Sequence, residues 1–160
     1  MKWITHQAGA LTMAVWFQAD PVITAAMLGG AVLPDFAEQA LCRGNRKLFL
    51  RIHRGFLHWF GIYAAMLLLA VVVPLDARQK AGLAGLAIGA LSHLMLDGLN
   101  PTGVPLLPFR EKPRLRRNLI STGSMGEWIF LAALLVLLAL GGYEFGEEWL
   151  QRIFRMARTW

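Results

Sequence analysis

The chain has 160 residues, of which 56% are hydrophobic and only 16% are charged. Soluble globular proteins carry about 25% charged residues, so this composition excludes an ordinary soluble domain, and it equally excludes a disordered chain and a fibrous repeat. The single cysteine, Cys42, excludes an internal disulfide scaffold. The composition predicts a small integral membrane protein in which residues 1–160 form a single all-α helical domain.

The N-terminal third contains two apolar stretches, residues 8–17 and 22–33, separated by a polar break. Asp20 followed by Pro21 in this break predicts a turn and the start of a helix. Ten to twelve residues form about 15–18 Å of helix, which is too short to cross a bilayer. The sequence therefore predicts either a helical hairpin or one broken span here.

Three further apolar segments predict full membrane spans, at residues 56–75, 81–99 and 128–143. Twenty residues of helix extend for about 30 Å, the thickness of the hydrocarbon core. Gly82, Gly85 and Gly89 in the second segment favour close contact with a neighbouring helix. The amphipathic stretch at residues 147–160 predicts an interfacial helix, which completes a polytopic helical bundle.

The net charge of +6 arises mainly in two loops, residues 34–55 and 100–127, each with five basic side chains. Because two spans separate these loops, they lie on the same side of the membrane, and the positive-inside rule predicts that this side is cytoplasmic. The charge thus indicates topology and contact with anionic membrane lipids, with no nucleic-acid partner. We expect a multi-pass protein of a bacterial-type inner membrane.

The ionisable residues within this topology gather near the cytoplasmic face. His93 lies about one helical turn deeper than Asp97, and His6 joins the group if the N-terminal third is a hairpin. The other members are Asp35, His53, His58, Asp97 and Glu127. Ionisable groups inside a span are costly and mark a functional site by default.

The pair His93 and Asp97 is separated by four residues, so both side chains project from the same face of a helix. Imidazoles and carboxylates without thiolates suit a divalent ion, most simply Zn²⁺, with Mn²⁺ or Fe²⁺ as alternatives. The alternative is a buried hydrogen-bonded pair with no metal. The convergence of histidines and carboxylates favours the metal.

Several motifs together resemble the YdjM family of membrane-bound metal-dependent hydrolases. They are LPD at residues 33–35, HRGFLH at 53–58, LSHLMLD at 91–97, NPTGVPLLP at 100–108 and GSMGE at 123–127. The resemblance covers about residues 5–135. It implies that a set of residues are metal ligands or their immediate neighbours, namely His53, His58, His93 and Asp97, joined by Asp35 and His6.

The chain departs from the family pattern at two points. After LPD the family commonly has a second Asp and then a His, where this chain has Ala37 and Glu38. The family's HRG motif commonly ends Thr-His-Ser, where this chain has Leu57, His58 and Trp59. The first departure removes one candidate ligand and replaces another by Glu38, and the second removes hydroxyls that order ligands by hydrogen bonding.

These residues predict a metal-assisted hydrolase at the cytoplasmic membrane face. Glu38 or Glu127 would act as general base or as a further ligand, and Arg54 would bind a phosphate through its planar guanidinium. The expected substrate is a phosphoester of a lipid, because the site opens at headgroup level and the loops beside it are basic. A soluble phosphoester and an amide are the alternatives. Two alternatives are a metal-ion or proton carrier and a non-catalytic scaffold stabilised by a metal.

Overall fold

A computed structural model describes residues 1–108 and 114–157, which are mainly helical, as the sequence predicts. Arg110 and Lys112 of the second basic loop and residues 158–160 of the predicted C-terminal helix lie outside the described residues. The helices are α1 (Trp3–Trp16), α2 (Pro21–Gly30), α3 (Leu33–Cys42), α4 (Arg46–Ile52), a 3₁₀ turn (Phe56–His58), α5 (Phe60–Val72), α6 (Ala77–Gly98) and α7 (Met125–Ala157); the strands are β1 (Val104–Pro105) and β2 (Arg114–Leu115).

Two of the three predicted spans are helices that are long and apolar enough to cross a membrane, α6 and the Met125–Glu148 part of α7. The third full span, at residues 56–75, is not confirmed. Its helix α5 has 13 residues, which extend for about 20 Å at 1.5 Å per residue. The helix is shorter than the apolar segment because residues 56–59 form a 3₁₀ turn with extended backbone at Trp59 before it begins.

The N-terminal third folds as two helices joined by a four-residue turn. Asp20 caps α2 by accepting a hydrogen bond from the backbone N–H of Ile23, and Pro21 occupies the first turn, as predicted. His6 near the start of α1 and Asp35 just after α2 both lie beside the end of α6. The chain therefore runs away from that end along α1 and returns along α2, which is the hairpin alternative.

The helices α2 and α6 pack with their backbones almost in contact, because glycines line the interface. A Cβ atom on Gly89 would lie 2.0 Å from the carbonyl oxygen of Met27, and one on Gly30 would lie 2.1 Å from that of Leu86. Gly85 meets α2 in the same way, whereas Gly82 has nothing within 4 Å. The predicted close contact is confirmed for Gly85 and Gly89 but not for Gly82.

The predicted interfacial helix at the C-terminus is not a separate element. The helix α7 runs without a break through Met125–Ala157, 33 residues in all. No proline interrupts this stretch, and the paired Gly141 and Gly142 remain helical. Gly141 faces Trp16 of α1, whose indole N–H donates to the carbonyl oxygen of Leu137, so this part of α7 is held against α1.

Many large apolar side chains on α5 and α7 are exposed, including Leu68 and Val71 on α5 and Ile129 and Val136 on α7. A soluble protein of this size rarely exposes so much contiguous apolar surface, whereas lipid covers it without cost. Polar side chains are buried at one end of the bundle, where α1, α3 and the 3₁₀ turn surround the end of α6.

Replacing Gly89 by alanine should destabilise the protein, because the new methyl group forces α2 and α6 apart. Overpacking of this kind costs about 1–3 kcal/mol. The matched control is Gly82→Ala on the same helix, which meets no neighbour and should gain up to about 1 kcal/mol from helix propensity. Thermal unfolding of both variants in detergent compares them; equal midpoints would contradict the packing described here.

Candidate metal centre

Four segments bring the candidate ligands together. His6 comes from the first turns of α1, Asp35 from the first turn of α3, His58 from the 3₁₀ turn, and His93 and Asp97 from the last turns of α6. All five side chains are buried. The predicted i, i+4 placement of His93 and Asp97 on one helix face is confirmed, since their facing atoms are 3.6 Å apart.

Two imidazole nitrogens and two carboxylate oxygens of these side chains face one another, and we call them the four-donor centre: His58 Nε2, His93 Nε2, Asp35 Oδ1 and Asp97 Oδ2. His58 Nε2 lies 3.3 Å from Asp35 Oδ1 and 3.8 Å from Asp97 Oδ2. His93 Nε2 lies 3.8 Å and 3.6 Å from the same two oxygens. Zinc bonds of about 2.0–2.1 Å place tetrahedral ligands about 3.3–3.4 Å apart, so these nitrogen-to-oxygen separations equal that spacing or slightly exceed it. The donor atoms of Asp35, His58 and His93 all lie within 4.8 Å of one another and could hold an ion.

The protonation of His93 shows why a cation suits this point. Its Nδ1 lies 2.7 Å from the carbonyl oxygen of Ala31, which can only accept, so Nδ1 carries a proton. Its Nε2 is buried and has no hydrogen-bond partner among the described residues. In the neutral imidazole, Nε2 therefore carries a lone pair that faces the carboxylate oxygens of Asp35 and Asp97. A metal ion would satisfy all of these acceptors.

Glu38 orients the histidines of the HRG segment. Its two carboxylate oxygens accept from His58 Nδ1 and His53 Nδ1, each at 2.9 Å, and from the backbone N–H of Arg54 at 3.2 Å. A carboxylate on the far nitrogen of a ligating histidine sets its tautomer and raises its basicity. Glu38, which stands where the family commonly has a histidine, thus directs His58 Nε2 towards the four-donor centre.

The turn that carries His53 and His58 depends on an unusual backbone. Arg54 has φ 58°, a left-handed conformation that non-glycine residues seldom adopt. A Cβ on Gly55 would lie 2.6 Å from the carbonyl oxygen of Ile52, so glycine is required there. This turn places the two histidines on the same carboxylate although they are five residues apart.

The second oxygen of Asp97 is bound by cationic groups. Its Oδ1 accepts from Arg54 Nη2 at 2.9 Å and from the α-amino group of Met1 at 2.7 Å. His6 Nε2 lies 3.5 Å from the same oxygen, and the His6 ring stacks on His93 with centroids 3.7 Å apart. Arg54 is held on its other side by the hydroxyl of Thr102.

Two more groups of three side chains could also hold an ion, and both share members with the four-donor centre. They are His6 with His93 and Asp97, and Asp35 with Glu38 and His53. All six histidine and aspartate residues predicted as ligands therefore lie in one connected cluster. The cluster also contains Glu38 and Arg54.

Both carboxylates contributed by α3 are held in the ionised form that binds a cation. Burial alone raises the pKa of a carboxyl group. At Asp35 the hydrogen bond from His58 and the charges of His93 and His58 outweigh burial and lower the pKa to about 2. At Glu38 burial is likewise outweighed, and the hydrogen bonds from His53 and His58 lower its pKa.

Glu127 lies apart from this cluster and belongs to none of the three groups. It is buried where α1 meets α7, and its oxygens accept from the backbone N–H groups of Lys2 and Gly123 and from the Thr5 hydroxyl at 3.1 Å. The carboxylate therefore joins the start of α1 to the start of α7. This geometry supports a structural role for Glu127.

Besides the α-amino group of Met1, two contributors to the cluster have no counterpart in the sequence analysis. The Trp3 indole N–H donates to Asp35 Oδ2 at 3.2 Å, and the Ala31 carbonyl oxygen accepts from His93. A tryptophan near the N-terminus of a membrane protein is ordinarily assigned to the interface. Every residue has a backbone carbonyl group, so the residue type at position 31 does not predict this contact. Only the packing of α2 on α6 shows that the Ala31 carbonyl oxygen lies next to His93.

Comparison with known proteins places the chain in a family. It matches the YdjM inner membrane protein family over residues 1–156. The chain belongs to the YdjM family. The uncharacterized protein YvsG of Bacillus subtilis is 32% identical in an alignment of 143 residues that covers 81% of this chain and 87% of YvsG.

The inner membrane protein YdjM of Escherichia coli is 37% identical over 94 residues, and YdjM of Shigella flexneri has the same identity over the same length. These matches cover 52% of this chain and 44% of each YdjM protein. No solved structure matches the chain. The family and the two apolar helices agree with the predicted membrane location.

Substituting Glu38 by glutamine should weaken metal binding without removing a member of the four-donor centre. Loss of such an orienting carboxylate costs about 10–100-fold in metal affinity. Competition with a chromogenic chelator measures that affinity on purified protein. The matched control is Glu144→Gln on the exposed surface of α7; an affinity equal for both variants would contradict the orienting role.

Proposed function

We propose that this YdjM-family chain is a membrane-bound, metal-dependent hydrolase that acts on a phosphoester, either soluble or part of a phospholipid. One observation carries the proposal. Within a membrane protein, two buried imidazole nitrogens each lie 3.3–3.8 Å from the same two buried carboxylate oxygens. Such a donor set is expensive to bury without a cation.

The four-donor centre would hold a divalent ion through His58, His93, Asp35 and Asp97. Nitrogen and oxygen donors of this kind suit Zn²⁺ first, with Mn²⁺ or Fe²⁺ as alternatives. When bound, a divalent ion supplies Lewis-acid chemistry and makes water a useful nucleophile near neutral pH. The neighbouring group of Asp35, Glu38 and His53 would accommodate a second ion, whereas the group that contains His6 shares both His93 and Asp97 with the four-donor centre.

Other residues of the chain have supporting roles in the proposal. Glu38 holds two imidazoles in their working orientation, which also makes it the candidate carboxylate for proton transfer. His53 has a side chain that is 31% exposed, whereas those of His6, His58 and His93 are fully buried. His53 is therefore the histidine of the cluster that is accessible to bulk water.

The proposed location is the cytoplasmic face of the inner membrane, with residues 56–75 supplying a third span by way of α5 and the segments that flank it. Both basic loops adjoin the end of the bundle that contains the cluster, and the positive-inside rule assigns that end to the cytoplasm. Membrane lipids surround the apolar helices, and a lipid headgroup reaches the same level as the cluster.

Metal analysis of the purified chain tests the proposal. We expect wild-type protein to contain a stoichiometric divalent metal, and His93→Ala and Asp97→Ala to lose most of it together with hydrolysis of phosphodiester and phospholipid substrates. Removing one donor leaves the remaining charged groups buried without compensation, so the variants should also unfold more easily. The Glu144→Gln variant, on the exposed part of α7, should retain both metal and activity.

The alternatives give different results in the same experiment. Wild-type protein without stoichiometric metal contradicts the proposed centre. Bound metal without turnover of any ester favours a scaffold that uses the ion to hold α1, α3 and α6 together. Metal flux into proteoliposomes that is lost in His93→Ala favours a carrier.

A further inference from the structure

A polar cavity of about 680 Å³ lies directly beside the metal cluster. One wall is the turn after α4, and the opposite wall is the loop that follows α6. Ligand pockets for small molecules generally measure about 300–1,000 Å³, so the cavity accommodates a substrate of moderate size. Its polar lining includes His53, Arg54, Asn100, Arg114, Arg116 and Thr122.

Three arginines line this cavity, and within the described part of the chain no carboxylate does. The guanidinium group is planar, always charged and well matched to two oxygens of a phosphate. Arg114 is held in place by backbone, since its Nη2 donates to the carbonyl oxygens of Arg54 at 3.0 Å and Gly103 at 3.1 Å. From the sequence, the basic loop that contains Arg114 and Arg116 mainly indicated membrane topology and contact with anionic lipids.

Arg54 connects the cavity to the metal cluster. It is only 7% exposed, and its Nε has no hydrogen-bond partner among the described residues. One terminal nitrogen binds Asp97 Oδ1, while Asp97 Oδ2 belongs to the four-donor centre. An anion that contacts Arg54 in the cavity is therefore connected to the four-donor centre through Arg54 and Asp97.

We infer that this arginine-lined cavity binds the phosphoryl group of the substrate, with Arg114 and Arg116 as residues that select an anionic ester. The inference rests on the proposed hydrolase and adds its substrate-binding site. Contacts within the loop that follows α6 hold these arginines at the cavity. The Asn100 side chain donates to the Thr122 hydroxyl at 2.7 Å, and strand β1 pairs with strand β2, which contains Arg114. The rest of the cavity accommodates the organic part of the ester.

Binding of inorganic phosphate to the purified full-length chain tests this site. We expect Arg116→Gln to raise the dissociation constant about tenfold, the effect of losing one charge-assisted hydrogen bond. The matched control is Arg117→Gln, because Arg117 is the next residue of the same loop, is exposed and does not line the cavity. It should change the dissociation constant less than about twofold, within the range of a weak surface charge effect.

Arg116 is exposed, so its variant should fold normally, and an unchanged melting temperature and metal content verify this. Absence of phosphate binding overturns the inference. Equal weakening by Arg116→Gln and Arg117→Gln also overturns it, because net charge would then be the only attraction.

Competition identifies the source of the phosphoryl group. Glycerol 3-phosphate and short-chain dihexanoyl phosphatidate are each used to displace bound phosphate. Stronger displacement by the phosphatidate indicates a lipid headgroup, and equal displacement indicates a soluble ester; both results support the site. Failure of both compounds to displace phosphate contradicts it.

The outcome is separable from that of the hydrolase proposal. Phosphate binding that depends on Arg116, in a protein that hydrolyses no ester, supports the anion site and contradicts the hydrolase. Ester hydrolysis whose KM is the same in wild type and Arg116→Gln supports the hydrolase and contradicts the anion site.

Discussion

The carboxylate of Asp97, buried at the end of α6, is the group on which the arrangement of the bundle depends. An ionised carboxylate removed from water is costly unless cations or hydrogen-bond donors surround it. Here the compensating groups come from distant segments, with Arg54 from the turn after α4 and His6 from α1. Satisfying this one carboxylate therefore requires the ends of several segments to meet at one place.

The apolar part of the molecule makes this meeting possible. Glycines on α2 and α6 let two backbones approach to contact distance, which brings the Ala31 carbonyl oxygen within 2.7 Å of His93. The helix α1 packs on α7, and Glu127 closes that interface at the same end of the bundle as the cluster. Exposed apolar side chains on α5 and α7 face outward, where lipid is the natural solvent.

The motif resemblance implies a histidine at the position of Glu38, and the structure shows what the carboxylate does there. Glu38 accepts hydrogen bonds from two histidines and a backbone N–H, so it orients ligands instead of supplying an imidazole. Trp59, which stands where the family commonly has serine, donates its indole N–H to the Leu106 carbonyl oxygen and so fastens the turn to the loop after α6.

Features that depend on neighbours in the chain could be predicted from the sequence. That His93 and Asp97 project from the same face of α6 follows from helix geometry alone. The cap that Asp76 forms with Gln79 at the start of α6 likewise follows from their spacing of three residues. The length of α5 could not be predicted, because hydropathy counts apolar residues without showing that Trp59 is extended. The continuity of α7 was missed for a similar reason. The amphipathic pattern at residues 147–160 indicates which helix face is polar, but it does not show where a helix begins or ends.

The sequence by itself determined that the chain is a helical membrane protein and which side chains are available for a metal centre. Only the tertiary structure decided which of their atoms face one another. Glu127 has the same chemistry as Glu38, yet the packing of α1 on α7 surrounds it with backbone donors and removes it from the cluster. The direction of an imidazole is likewise set by its hydrogen bonds to groups far away in the chain, which residue types and spacing do not encode.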